Sequence, residues 1–161
     1  MAGGKDQMKA VLCVLAALSM CAAAQTQSAA RDLTAVSADV LAAVESVKNQ
    51  AFVLLKELDK KQPDRQSVLS QALQAVAQAK QIRKLIEELD AFYSRMPEPQ
   101  QSALRRSWSV ATILSGCMES AVDSLAGTGD SVWGEVRTGV ECAQRRAGQL
   151  EEVLAPFRPG R

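Results

Sequence analysis

The chain has 161 residues, of which 47% are hydrophobic but only 4% aromatic, and it carries a formal charge of +1; a chain of this length is expected to form one domain. It contains no histidine, which removes the Ser-His and Cys-His nucleophile pairs, the imidazole general base and the imidazole metal ligand. Balanced charge offers no general attraction to phosphate backbones or anionic membranes, so nucleic acid is not an expected partner.

The N-terminus reads as a leader. Lys5 and Lys9 precede an apolar run from Val11 to Cys21, followed by Ala22-Ala23-Ala24 and then Gln25-Thr26-Gln27. That order is the pattern of a secretory signal peptide, with cleavage expected after Ala24, so residues 1–24 are assigned to the leader. The run is too short for a transmembrane helix, which needs about 20 apolar residues, and no later segment is longer. The alternative is a lipoprotein anchored through Cys21, but the bulky Met20 stands where lipoprotein processing wants a small residue. Removing the leader takes away Lys5, Lys9 and Asp6, which leaves the mature chain formally neutral. It also takes away Cys13 and Cys21. Cys117 and Cys142 remain, and in an extracellular protein their expected state is a disulfide.

Residues 25–157 read as a four-helix bundle. The first pattern runs from about Asp32 to Lys61, with Leu33, Val40, Val44, Val47, Ala51, Leu54 and Leu58 on one stripe. From Val40 on, these residues alternate between four and three apart, the seam of a helix packed along its length. Pro63 ends it. Asp64 is placed to cap the second pattern, which is expected to reach Met96. That pattern buries Leu69, Ala72, Val76, Ala79, Ile82, Ile86, Leu89, Tyr93 and Met96, with Arg83/Glu87 and Lys84/Glu88 spaced as pairs on its solvated face. Its Ala/Gln-biased stretch from Gln71 to Gln81 predicts a thin core contact.

Pro97 breaks the helix and Pro99 suits the first position of the next. The third pattern carries Leu104, Trp108, Ala111, Leu114, Met118, Ala121 and Leu125. Gly127 is expected to stop it in the left-handed conformation, and Asp130 to cap the fourth. There Val136, Val140, Ala143, Ala147, Leu150, Leu154 and Phe157 form the stripe, Pro156 closes the helix, and residues 158–161 read as a flexible tail. No segment alternates with the period of a strand. The expected fold is all-α: an antiparallel up-down-up-down bundle.

The two mature cysteines test this topology. They are equidistant from a point inside the turn from Gly127 to Asp130, so an antiparallel hairpin of the third and fourth helices brings them level. A disulfide needs Cα atoms about 4.4–6.8 Å apart, closer than ordinary helix packing allows. Gly116, Ser120, Gly139 and Ala143 are the small residues expected to permit that approach.

No catalytic constellation is visible. Glu87-Glu88 and Glu151-Glu152 are adjacent on helices and do not face each other. No calcium loop, phosphate-binding glycine loop or metal-spaced cysteine cluster occurs, so neither cofactor nor metal is expected. The only asparagine, Asn49, lies outside any N-glycosylation motif. Arg105-Arg106 and Arg145-Arg146 read as ordinary exposed charge. Trp108 and Trp133 are expected to close the ends of the core, with contact to a ligand or partner as their alternative role.

The expected function is therefore non-enzymatic binding of an extracellular protein, as an effector or inhibitor. The alternative is a carrier of lipid or another small hydrophobe. Its motive is apolar surface outside the seams: Val36, Leu41, Phe52, Val53 and Leu55 on the first helix, and Val110, Ile113 and Val122 on the third. Phe52 and Leu55, with the two tryptophans, are the candidate contact residues.

Overall fold

The computed structural model describes residues 31–129 and 131–159. The leader assigned to residues 1–24, with Cys13 and Cys21, lies outside the described residues, as do Asp130, Gly160 and Arg161. Four helices follow one another: α1 (Leu33–Leu58), α2 (Arg65–Asp90), α3 (Glu98–Ser124) and α4 (Val132–Val153). Single 3-10 turns follow α2 and α4, at Tyr93–Arg95 and Ala155–Phe157. There is no strand among the described residues. Each helix packs on its neighbours in sequence and α4 closes the ring against α1, which makes the all-α four-helix bundle. Among the described residues no helix is long and apolar enough to cross a membrane.

Apolar periodicity builds the core as expected. Val40, Val44, Val47, Ala51 and Leu54 of α1 are sealed from solvent, as are Val136, Val140, Ala143, Ala147 and Leu150 of α4. In α2 the buried stripe is turned by one residue from the expected one. Val68 and Ala75 are inside while Leu69 and Val76 are half-buried, because α2 must face both α1 and α3 and its burial centres between the two contacts. Val36 and Val110, expected on outer faces, belong to the core for the same reason. Ala72, Ala75 and Ala79 form the thin contact of the Ala/Gln stretch.

The helix ends are set by local chemistry and by neighbours. Asp64 caps α2, its carboxylate accepting from the Gln66 N–H at 3.1 Å, a contact worth about 1 kcal/mol. α2 ends at Asp90, short of Met96, and the chain tightens into a 3-10 turn before Pro97, which cannot donate to a helix. Met96 is still buried. α3 starts at Glu98, one residue earlier than expected, so Pro99 occupies its second position. α4 stops at Val153, and Pro156 lies in the 3-10 turn beyond it.

The α3–α4 turn corrects the expected cap. Gly129 carries the positive φ, 120°, and Gly127 does not. The carbonyls freed at the end of α3 are met from another helix: Arg65 Nη2 donates to the Leu125 carbonyl and, at 2.7 Å, to that of Gly127. With a cation placed at its negative end, α3 has no need of a left-handed glycine at Gly127. α4 begins after Ser131, whose side chain makes no capping bond. The expected pairs Arg83/Glu87 and Lys84/Glu88 leave Arg83 and Lys84 in no ion pair among the described residues.

Candidate functional site

α3 and α4 approach most closely where the cysteines stand level. Cys117 and Cys142 are bonded, with their Cα atoms 5.8 Å apart. Gly139 makes this approach possible. A Cβ on it would stand 2.9 Å from both the Cys117 carbonyl oxygen and the Ala121 Cβ, and 3.0 Å from the Ala121 nitrogen. Gly116, expected to share this role, faces no atom within 4 Å; the small residue opposite Gly139 is Ala121.

Outside the bridge the two helices diverge into an open groove of about 610 Å³. Gly116 supplies no side chain to fill it, and the disulfide contributes to its lining. Ile113 borders it and is 42% exposed, an unusual position for a large aliphatic side chain. Ser120, Ser124, Glu135 and Thr138 supply the polar lining. The hydroxyls of Ser124 and Thr138 donate back to the Ser120 and Gly134 carbonyls, both at 2.9 Å, so they face the groove as acceptors. Glu135 is exposed and in no ion pair among the described residues. The groove thus joins one exposed aliphatic side chain, a row of acceptors and one unpaired negative charge. Its position relative to the bundle is held by a covalent bond.

A charged network crosses the α1–α4 seam. Lys48 Nζ lies 2.7 Å from both Glu45 and Glu151, and Arg158 lies 2.6 Å from Glu151. The hydrogen bonds from Glu151 and then Glu45 hold the Lys48 ammonium above its ordinary value. The Lys48 hydrogen bond holds the Glu151 carboxyl below its own. Arg158 is thereby tied to the bundle at the point where the sequence suggested a loose tail. Glu151 and Glu152 share an open cleft with Arg158, and Glu151 is committed to its two cations.

The remaining candidates lie apart. Leu55 is half-buried against the core, whereas Phe52 is 50% exposed with the Lys56 ammonium 4.4 Å from its ring centre. Trp133 is half-buried in the first turn of α4. Trp108, expected at an end of the core, is the eleventh residue of α3 and borders a cleft with Lys80, Arg83, Lys84 and Glu87 of α2. These basic residues escaped the sequence reading, although reflecting Trp108 through the middle of the turn between Asp90 and Glu98 lands on Lys80. Among the described residues no three His, Cys, Asp or Glu side chains cluster as a metal site.

No protein family, curated protein or solved structure matches the chain. The geometry alone therefore carries the functional reading.

Proposed function

We propose that this chain is a secreted, non-enzymatic binding protein that engages a protein partner through the α3–α4 groove. The observation that carries the reading is the combination at that groove: exposed Ile113 beside the bridge, and an unpaired Glu135 on the facing helix. A partner segment with an apolar anchor for Ile113 and a cation for Glu135 is complementary to it, the arrangement of an amphipathic basic helix laid in a groove. The leader pattern of residues 1–24 and the Cys117–Cys142 bridge support an extracellular setting.

The test uses two fluorescent amphipathic peptides with the same apolar stripe, one basic and one acidic, titrated into the oxidised chain. The basic peptide should bind, and Ile113→Asp and Glu135→Lys should each abolish that binding while Phe52→Asp leaves it intact. Equal binding of the acidic peptide, or indifference to Ile113→Asp, would overturn the proposal. The carrier reading has less support, because the clefts around Ile113, Trp108 and Glu152 are open to solvent. A native mass spectrum showing retained lipid would favour it over the protein-binding reading.

A further inference from the structure

A second site lies on a different face, where α2 and α3 enclose a cleft of about 290 Å³ around Trp108. Its rim is formed by Lys80, Arg83 and Lys84, with Glu87 as the single carboxylate. Lys80 is engaged by Glu119 at 3.1 Å, but Arg83 and Lys84 are exposed and in no ion pair among the described residues. Trp108 itself is half-buried against the core, so its ring is fixed in place.

Two further observations separate this ring from the other aromatic groups. Phe52, Phe92 and Tyr93 each carry a cation of their own chain over the ring, with Lys56, Arg95 and Arg105 at 4.4, 4.9 and 5.8 Å. Among the described residues no cation covers Trp108, although three stand around it. Its indole N–H also donates to no acceptor among the described residues. The cleft therefore offers an immobile aromatic surface and an indole donor beside the Arg83 guanidinium and the Lys84 ammonium, all uncommitted.

We infer that this cleft binds a small organic anion with a flat apolar body. The body lies against the Trp108 indole, and the carboxylate or sulfonate sits between Arg83 and Lys84. The guanidinium and the ammonium make charge-assisted hydrogen bonds to the anion, while the fixed ring supplies apolar contact at little cost in side-chain entropy. Glu87 opposes the ligand's charge and limits affinity. The site is independent of the α3–α4 groove, and either can fail without the other.

The test titrates the oxidised chain with 2-naphthoate and, as the neutral control, 2-naphthalenemethanol. The readout is the pair of tryptophan indole N–H resonances, assigned with a Trp133→Phe variant. The Trp108 resonance should shift saturably with naphthoate while that of Trp133 stays in place. Arg83→Gln combined with Lys84→Gln should weaken binding about tenfold, the loss of one charge-assisted contact. Glu87→Gln should strengthen it roughly twofold, as removal of an exposed like charge predicts. The inference is overturned by an absent or unsaturable shift, by equal binding of the alcohol, by an unchanged affinity in the double variant, or by weaker binding in Glu87→Gln.

Discussion

Replacing Gly139 with alanine sets two physical effects against each other, and the structure decides between them. Helix propensity favours the change by up to about 1 kcal/mol. Against it, the new Cβ would stand 2.9 Å from the Cys117 carbonyl oxygen and 3.0 Å from the Ala121 nitrogen. Both are backbone atoms of a helix, so no side-chain rotation relieves the contact. α3 and α4 would have to separate, yet they are bonded at Cys117 and Cys142 with Cα atoms 5.8 Å apart. Overpacking of this kind costs typically about 1–3 kcal/mol. Since that penalty opposes a smaller propensity gain, Gly139→Ala should be net destabilising by about 1–2 kcal/mol, or roughly 3–8 °C in Tm for a domain of this size. Gly116→Ala is the internal control. Nothing lies within 4 Å of its added methyl, so it should stabilise by about 0.5–1 kcal/mol. Urea and thermal unfolding of the oxidised variants measure both. A Gly139→Ala protein as stable as Gly116→Ala would refute the close-approach argument. Coupling gives a further check, because in a Cys117→Ser, Cys142→Ser background the helices are free to part and the Gly139→Ala penalty should shrink.

Other consequences follow from the same structure. The intact oxidised chain should be two hydrogens lighter than the reduced one. Removing the bridge, whose cysteines are 25 residues apart, should cost about 3 kcal/mol by the loop-entropy estimate. The Lys48–Glu151 pair should make stability depend on pH at both ends. The lowered Glu151 value means its contribution is complete above the ordinary 4.5 and lost as pH falls through the folded value. The raised Lys48 value means its contribution is complete below 10.5 and lost as pH climbs through the folded value. Both side chains are about a third exposed, so Lys48→Met should cost no more than about 1 kcal/mol, and less in high salt. Arg65→Ala should release the Leu125 and Gly127 carbonyls and cost about 1–2 kcal/mol. Hydrogen exchange would show the loss as faster opening at the end of α3, and unchanged protection there would contradict the capping role. Secretion should leave a mature chain starting at Gln25, which N-terminal sequencing of the exported protein would show.

Much of the architecture is local and was therefore legible in the residues. Heptad-like spacing in α1 and α4, the Asp64 cap, and the breaks at Pro63 and Pro97 each depend on neighbours in the chain. The disulfide was legible because an antiparallel hairpin converts sequence distance from a turn into height along the bundle. Where the reading slipped, the deciding atom belonged to another helix. Gly127 was expected to end α3 through its own conformation, but Arg65 from the start of α2 meets the carbonyls. Gly116 and Gly139 look alike in sequence, both one glycine inside a helix near a cysteine. Only the rotation of α4 against α3 shows that one faces the Ala121 backbone while the other opens a groove.

The candidate sites divide the same way. The lack of histidine and the pairing of the two mature cysteines are facts of composition and spacing, which no packing arrangement alters. The environment of Trp108 is not: Lys80, Arg83 and Lys84 belong to a different helix, and their gathering around one indole depends on how α2 and α3 are rotated against each other. The sequence by itself thus determined four helices, their order and one covalent link, because propensity, punctuation and hairpin register act along the chain. Tertiary structure alone decided which small residue permits contact, which carbonyls are capped and which charges remain unpaired, because each depends on atoms brought together from separate helices.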